Sequence, residues 1–185
     1  MSIHDLHGKF NGKEFEYISN YLDSESYSDE KSWAQRFEEE VSKHTGVKYA
    51  VACNSGTSGL HMAMYACGIG HGDEVITPAL TVVMDAYAVI HVGATPVFVD
   101  VERDTYGISV EEIKKKITNK TKAIITVSLQ GLSVDMDPIL ELAKENNIVV
   151  IDDSAQNILG EYKGRVAGTL ADISVLSFEN KKHMT

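Results

Sequence analysis

Asn54-Ser55-Gly56-Thr57-Ser58-Gly59 packs three hydroxyls and two glycines into six residues. An apolar run precedes it and a helical pattern follows, so it reads as a strand-to-helix turn. Glycine lets a backbone approach a ligand closely, and the free N–H groups of a helix's first turn point at it. That chemistry suits a phosphate monoester. The stretch lacks the G-x-G-x-x-G spacing of dinucleotide sites and the lysine of a P-loop. The same residues could also be a plain helix cap with no ligand.

Two further stretches carry reactive side chains. Asp152-Asp153-Ser154-Ala155-Gln156 follows the apolar run 148–151. Carboxylates there can bind a metal, cap a helix or pair with a cation, and the metal option has no His or Cys nearby to support it. Ser177-Phe178-Glu179-Asn180-Lys181-Lys182 follows another apolar run. A deprotonated, well-held lysine amine adds to a carbonyl, although a lysine near a chain end is ordinarily just solvated. Together these are the parts that pyridoxal phosphate (PLP) chemistry needs. A helix start and a serine hold the phosphate, an Asp keeps the ring nitrogen protonated, and a lysine carries the cofactor and moves protons.

The elements that would position them follow from periodicity. Residues 1–28 are polar and turn-rich, an expected extended lead-in. Residues 29–44 set Trp33, Phe37 and Val41 at helical spacing, closed by Gly46. Strands are expected at 47–53, 74–77, 96–99, 122–127, 148–151 and 173–178. Helices are expected at 55–66, 82–92, 109–117 and 138–146. Ser109 with Glu112 reads as a capping box, and Asp137 as the cap of the last helix. Residues 160–168 read as a hairpin or turn. Continuously apolar strands separated by helices mean βαβ units. The expected fold is therefore α/β, an α/β/α sandwich with a mostly parallel sheet, over a single domain spanning 29–185. Ligands of such sheets bind beyond the carboxyl ends of the strands, where all three stretches fall.

Composition narrows the function. The 185 residues carry a formal net charge of −10, which argues against general nucleic-acid binding. One anionic ligand at a helix N-terminus remains compatible with it. Cys53 and Cys67 form no CxxC pair and read as buried free thiols in a reducing compartment. Residues 1–13 lack a signal-peptide core, and no apolar run approaches the roughly 20 residues that span a membrane. A cytoplasmic protein is expected. His61 and His91 read as core or near-surface residues, and Glu38-Glu39-Glu40 and Lys114-Lys115-Lys116 as solvated helix faces.

The blocks NSGTSGLHMAM, GIGHGDEVITPALT, VGATPVFVDV, TKAIITV, VDMDPI, VVIDDSAQ and SFENKKHMT resemble, in order, the DegT/DnrJ/EryC1/StrS sugar aminotransferases. The resemblance runs from about residue 29 to 185. It implies the large domain of a fold type I PLP enzyme, with a mixed seven-stranded sheet. It also implies a homodimer that moves an amino group from glutamate or glutamine to a nucleotide-linked, usually deoxygenated, keto sugar. By position, Lys182 carries the cofactor and acts as acid–base. Asp153 pairs with the ring nitrogen, and Gln156 lies near the ring hydroxyl. Gly56, Thr57 and Ser177 hold the phosphate.

Three departures stand out. Val82 sits where the family often has an aromatic residue that stacks on the cofactor. Ser128-Leu129-Gln130-Gly131 replaces a common substrate-side pattern. Family members are about twice as long, so a C-terminal domain is expected to be absent here. Two alternatives accompany this reading. One is a keto-sugar dehydratase on the same scaffold, which carries His at the cofactor lysine's position; His183 is next door. The other is an inactive, truncated fragment.

Overall fold

The computed structural model describes residues 13–23, 32–179 and 181–182. Five strands form one sheet, β1 (Glu74–Pro78), β2 (Thr95–Val99), β3 (Thr121–Val127), β4 (Val149–Asp153) and β7 (Ile173–Val175), in the order β2-β1-β3-β4-β7. Every pairing is parallel. The further strands of a mixed seven-stranded sheet are not among the described residues. A parallel sheet needs helical crossovers, and these cover both faces. On one face, α3 (Gly56–Ala66) and α4 (Met84–His91) bury Leu60, Met64, Ala88 and Val89 against Val75, Ile125, Ile151 and Val175. On the other, α5 (Val110–Lys116) and α6 (Met136–Asn146) bury Ile113, Ile139 and Leu142 against Ile76, Ile124 and Val150. The strict alternation of neighbouring strand residues between the two clusters follows from the pleat.

Several boundaries differ from the sequence reading for identifiable reasons. Residues 47–53 form no strand; Tyr49 and Val51 are exposed. β propensity expresses fit to a pleated, half-buried surface, and no described strand lies beside them. The Ala52 N–H instead donates to Glu38 Oε1 at 2.8 Å, so Glu38 is not merely solvated. Within the expected extended lead-in, Lys13–Asp23 is helical (α1), and its Tyr17 and Tyr21 meet Trp33 edge-on. The rest of 1–28, and the expected helical residues 29–31, lie outside the described residues. No described helix is long and apolar enough to cross a membrane.

The caps also moved. The capping box lies at Ser32 and Gln35, opening α2 (Trp33–Thr45), which Gly46 closes in a left-handed conformation. At α5, Ser109 is the N-cap but its side chain makes no cap bond, and the Glu112 carboxylate, the other half of the expected box, accepts from Lys115 at 2.5 Å instead. α6 begins two residues earlier than expected, with Asp135 at the N-cap. Asp137 instead accepts from Lys163 at 2.7 Å and from Arg165, which hold its carboxyl at about 2. Those cations come from the hairpin of β5 (Glu161–Tyr162) and β6 (Arg165–Val166), at the expected place. Cys53 is exposed and Cys67 half-buried, so neither is the buried thiol expected.

α3 lies so close to β7 that a Cβ on Gly59 would come within 2.9 Å of Val175 Cγ1 and 3.4 Å of Cys53 Sγ. Gly59→Val overpacks this contact and should cost about 1–3 kcal/mol. A urea midpoint unchanged in the variant would show that β7 is not held by α3.

Candidate functional site

One cavity of about 1100 Å³ opens at the carboxyl ends of β4 and β7 and the start of α3. Gly56, Thr57, Asp153, Gln156, Ser177 and Lys182 all line it. These residues come from three separate stretches, and the parallel register of β4 with β7 brings two of them side by side. Val82 lines the same cavity, 43% exposed, from the loop after β1.

At the α3 end, Ser55 caps the helix by accepting from Ser58 N at 3.1 Å. By helix geometry the Gly56 and Thr57 N–H groups, one step earlier, have no intrahelical acceptor. Ser177 closes over them. A Cβ on Gly56 would sit 3.6 Å from Ser177 Cβ. Ser177 Oγ accepts from the Glu179 N–H at 3.4 Å, which leaves its own hydroxyl hydrogen to donate. Two N–H groups and a hydroxyl at a helix start form an anion cradle.

At the β4 end the paired acids separate. Asp152 turns to one face, where it accepts from Thr126 Oγ1 at 2.7 Å and Ser154 Oγ at 2.5 Å. Burial still raises it above the ordinary carboxylate range. Asp153 turns to the other, cavity-lining face. Its Oδ1 accepts from the Ala155 N–H at 2.9 Å. Burial raises Asp153 as well, against the pull of that N–H and of the Lys182 charge. Gln156 is pinned by its Oε1, which accepts from the Gln130 N–H at 2.8 Å. That leaves its amide N–H groups for a ligand. Gln130 holds a left-handed conformation, φ 53°, in the short 3-10 turn Leu129–Gly131.

Lys182 is half-buried and lines the cavity; Lys181 is exposed, with its N–H donating to Glu179 Oε2 at 3.0 Å. The segment is held by Phe178, whose ring meets Phe37 of α2 edge-on at 4.9 Å. His183 lies outside the described residues.

Sequence reasoning missed Asp85. It is 0% exposed in the first turn of α4. Burial, with the Asp153 carboxyl beside it, raises it to about 7. A lone acid inside the apolar run 82–90 was the available signal. His61 and His91 sit elsewhere on this face, half-buried and exposed, with rings 5.9 Å apart.

Only with this geometry in view do likenesses to other proteins carry weight. The model of the DegT/DnrJ/EryC1/StrS aminotransferase family matches residues 9–185. The chain is 45% identical over 174 residues to a GDP-perosamine synthase of Escherichia coli O157:H7, covering 94% of this chain and 48% of the relative. It is 41% identical over 177 residues to that of Caulobacter vibrioides, covering 96% and 48%. Among solved structures, an aminotransferase from Psychrobacter cryohalolentis superposes with a TM-score of 0.90 at 38% identity, over 96% of this chain and 45% of the other. The PLP form of a Streptococcus pneumoniae protein assigned as a sugar aminotransferase superposes at 0.87, with 32% identity, over 96% and 49%. The chain thus spans about half the length of the relatives it matches.

Two outcomes test the site's physics. Phe37→Ala removes an edge-on pair worth about 1 kcal/mol. Amide exchange in the peptide that spans Ser177 to Lys182 should quicken, and exchange as slow as wild type would mean that other contacts hold the lysine. The second concerns pH. Asp85 titrates higher folded than unfolded, so the folded chain binds the extra proton between about pH 4 and about pH 7. The group's contribution to stability is flat below that window, falls as pH rises through it, and is flat above. Asp85→Asn should therefore gain on wild type in unfolding free energy from about pH 4 to about pH 7. A constant difference would refute the raised value.

Proposed function

Because the chain belongs to the DegT/DnrJ/EryC1/StrS aminotransferase family, we propose that it builds the cofactor site of a PLP-dependent sugar aminotransferase. The amino group moves from glutamate or glutamine to a nucleotide-linked keto sugar. Two relatives are named for a GDP-linked product, which supports that substrate class. The observation that carries the reading is the meeting of Gly56, Thr57, Asp153, Gln156, Ser177 and Lys182 around one cavity.

The residues present fit the cofactor. An anion cradle, a buried carboxylate and a lysine face one space, and each suits one part of it. PLP, when bound, supplies an aldehyde and a protonated ring that draws electrons from the carbon bearing the amine. The chain's own groups do the rest. The Gly56 and Thr57 N–H groups and the Ser177 hydroxyl fix the phosphate. The Asp153 carboxylate accepts from the ring N–H and keeps that nitrogen protonated. Gln156 donates to the ring hydroxyl from an amide already oriented by Gln130. Lys182 Nζ would anchor the cofactor and, once free, would move a proton between the two carbons that flank the amine nitrogen. Val82 offers an apolar but not aromatic surface.

The same reading makes the working protein a cytoplasmic homodimer. The exposed Tyr49, Val51 and Tyr65 support an additional surface packed over this side of the fold.

The chain should take up PLP and, after borohydride reduction, carry the label on Lys182. Peptide mass mapping against Lys182→Ala decides it. A label spread over surface lysines, and unchanged in the variant, would remove the PLP reading. Glutamate should then convert bound PLP to its amine form and a nucleotide-linked keto sugar should restore it, the cycle that separates an aminotransferase from a dehydratase on the same scaffold.

A further inference from the structure

Asp85 plays no part in the chemistry above, yet it is the acid placed most deeply at the site. Its carboxyl is fully buried on the sheet face that Asp153 shares. Thr81 Oγ1 donates to its Oδ2 at 2.5 Å. Its Oδ1 has no hydrogen-bond partner of normal geometry, although the Asp153 carboxyl is near enough to act on it. On Asp153, Oδ1 is occupied by the Ala155 N–H, which leaves Oδ2. Among the described residues, each acid therefore keeps one oxygen with no partner of normal geometry, and neither is exposed beyond 8%.

Two adjacent buried carboxylates cannot both ionise cheaply; such pairs hold one proton between them. The start of α4 favours negative charge on Asp85 through the helix dipole, but one helix start does not offset two buried charges. Among the described residues, the other charged groups that act on Asp153 are Asp152, from the opposite sheet face, and Lys182 after β7. One cation against one shared negative charge is balanced; against two it is not. α3, packed on α4, adds His61, but its ring meets His91 at the far end of α4 from Asp85.

We propose that Asp85 is a positioning residue that shares one proton with Asp153 and donates it to that carboxylate, fixing Asp153 as a singly charged acceptor for the cofactor's ring N–H. The proton resides on Asp85 Oδ1, because Oδ2 already accepts from Thr81. Asp153 is then held by two donors, the Ala155 N–H and Asp85, and its charge and orientation do not depend on cofactor arrival. The shared proton stands on this chain's geometry alone. The role toward the ring rests on the PLP reading.

Carboxyl-carbon NMR of aspartate-labelled protein tests the first part without cofactor. Wild type should show a carboxyl titrating near pH 7 that Asp85→Asn removes. In that variant the side chain at 85 still donates, so Asp153 should titrate near wild type, whereas Asp85→Val removes the donor and should raise Asp153. In Asp153→Asn the raising charge is gone, and Asp85 should titrate lower by about one pH unit or more. An unmoved Asp85 there, or two wild-type carboxyls titrating in the ordinary range, overturns the inference. Should Asp153→Asn fail to fold, an Asp153 that does not rise in Asp85→Val overturns it equally. The second part is read from the pH midpoint of the bound cofactor's absorbance. Asp85→Asn keeps a donor and should stay near wild type. Asp85→Val keeps none and should shift the midpoint and weaken PLP binding roughly tenfold. Equal midpoints and affinities in all three proteins overturn the positioning role. If wild type takes up no PLP, the functional reading and the positioning role both fall, while the carboxyl titration still decides the proton sharing.

Discussion

A carboxylate at the end of a buried parallel strand is the interaction on which this architecture turns. Asp153 closes β4, the strand between β3 and β7, where both faces of the sheet are covered. An isolated charge there is costly unless donors surround it. The pleat sends Asp152 and Asp153 to opposite faces, so two adjacent acids meet two different fates. Asp152 is saturated by Thr126 and Ser154 and ties strands together. Among the described residues Asp153 receives only one donor of good geometry, which is what a binding residue requires and a structural one avoids.

The elements around it keep that acid accessible. α2 adds little to the sheet core; its role is to hold what surrounds the cavity. Glu38 ties down the irregular stretch at Ala52, and Phe37 holds Phe178 and with it the lysine segment. The Ser32–Gln35 capping box fixes where α2 begins and so where both contacts fall. On the opposite side, Asp137 clamps the β5–β6 hairpin through Lys163 and Arg165. These ion pairs are exposed, and exposed pairs contribute little free energy; the hairpin is also held by Tyr162, which is buried in the core on the face covered by α5 and α6.

Strands were legible wherever apolar residues ran without interruption, because a parallel strand buried on both faces admits nothing else. The three chemical stretches were legible because each follows such a strand or opens a helix. Legibility failed where a residue's fate depends on a partner distant in sequence. Residues 47–53 have strand composition but no ladder beside them. Glu112 has capping-box spacing from Ser109 but binds Lys115 instead. Asp137 stands at a plausible cap and is claimed by a hairpin 26 residues on. Asp85 reads as a lone acid in an apolar helix until the fold sets it beside Asp153.

Val82 and Asp85 lie within one helical turn of each other, in the segment that leaves β1. Both alter how a ring in the cavity would be held. An aromatic residue at 82 would grip a ring by its face, through offset stacking worth about 1 kcal/mol beyond area burial. A valine contributes apolar area without fixing rotation. Orientation then depends on the ring's edge, on the acceptor at Asp153, the donor at Gln156 and the phosphate cradle. Such edge contacts are only as precise as the side chains that make them. Gln156 is fixed by Gln130, and the cradle by the Ser55 cap. A second acid behind Asp153 supplies the same rigidity at the third edge contact, in the segment where Val82 offers no stacking face.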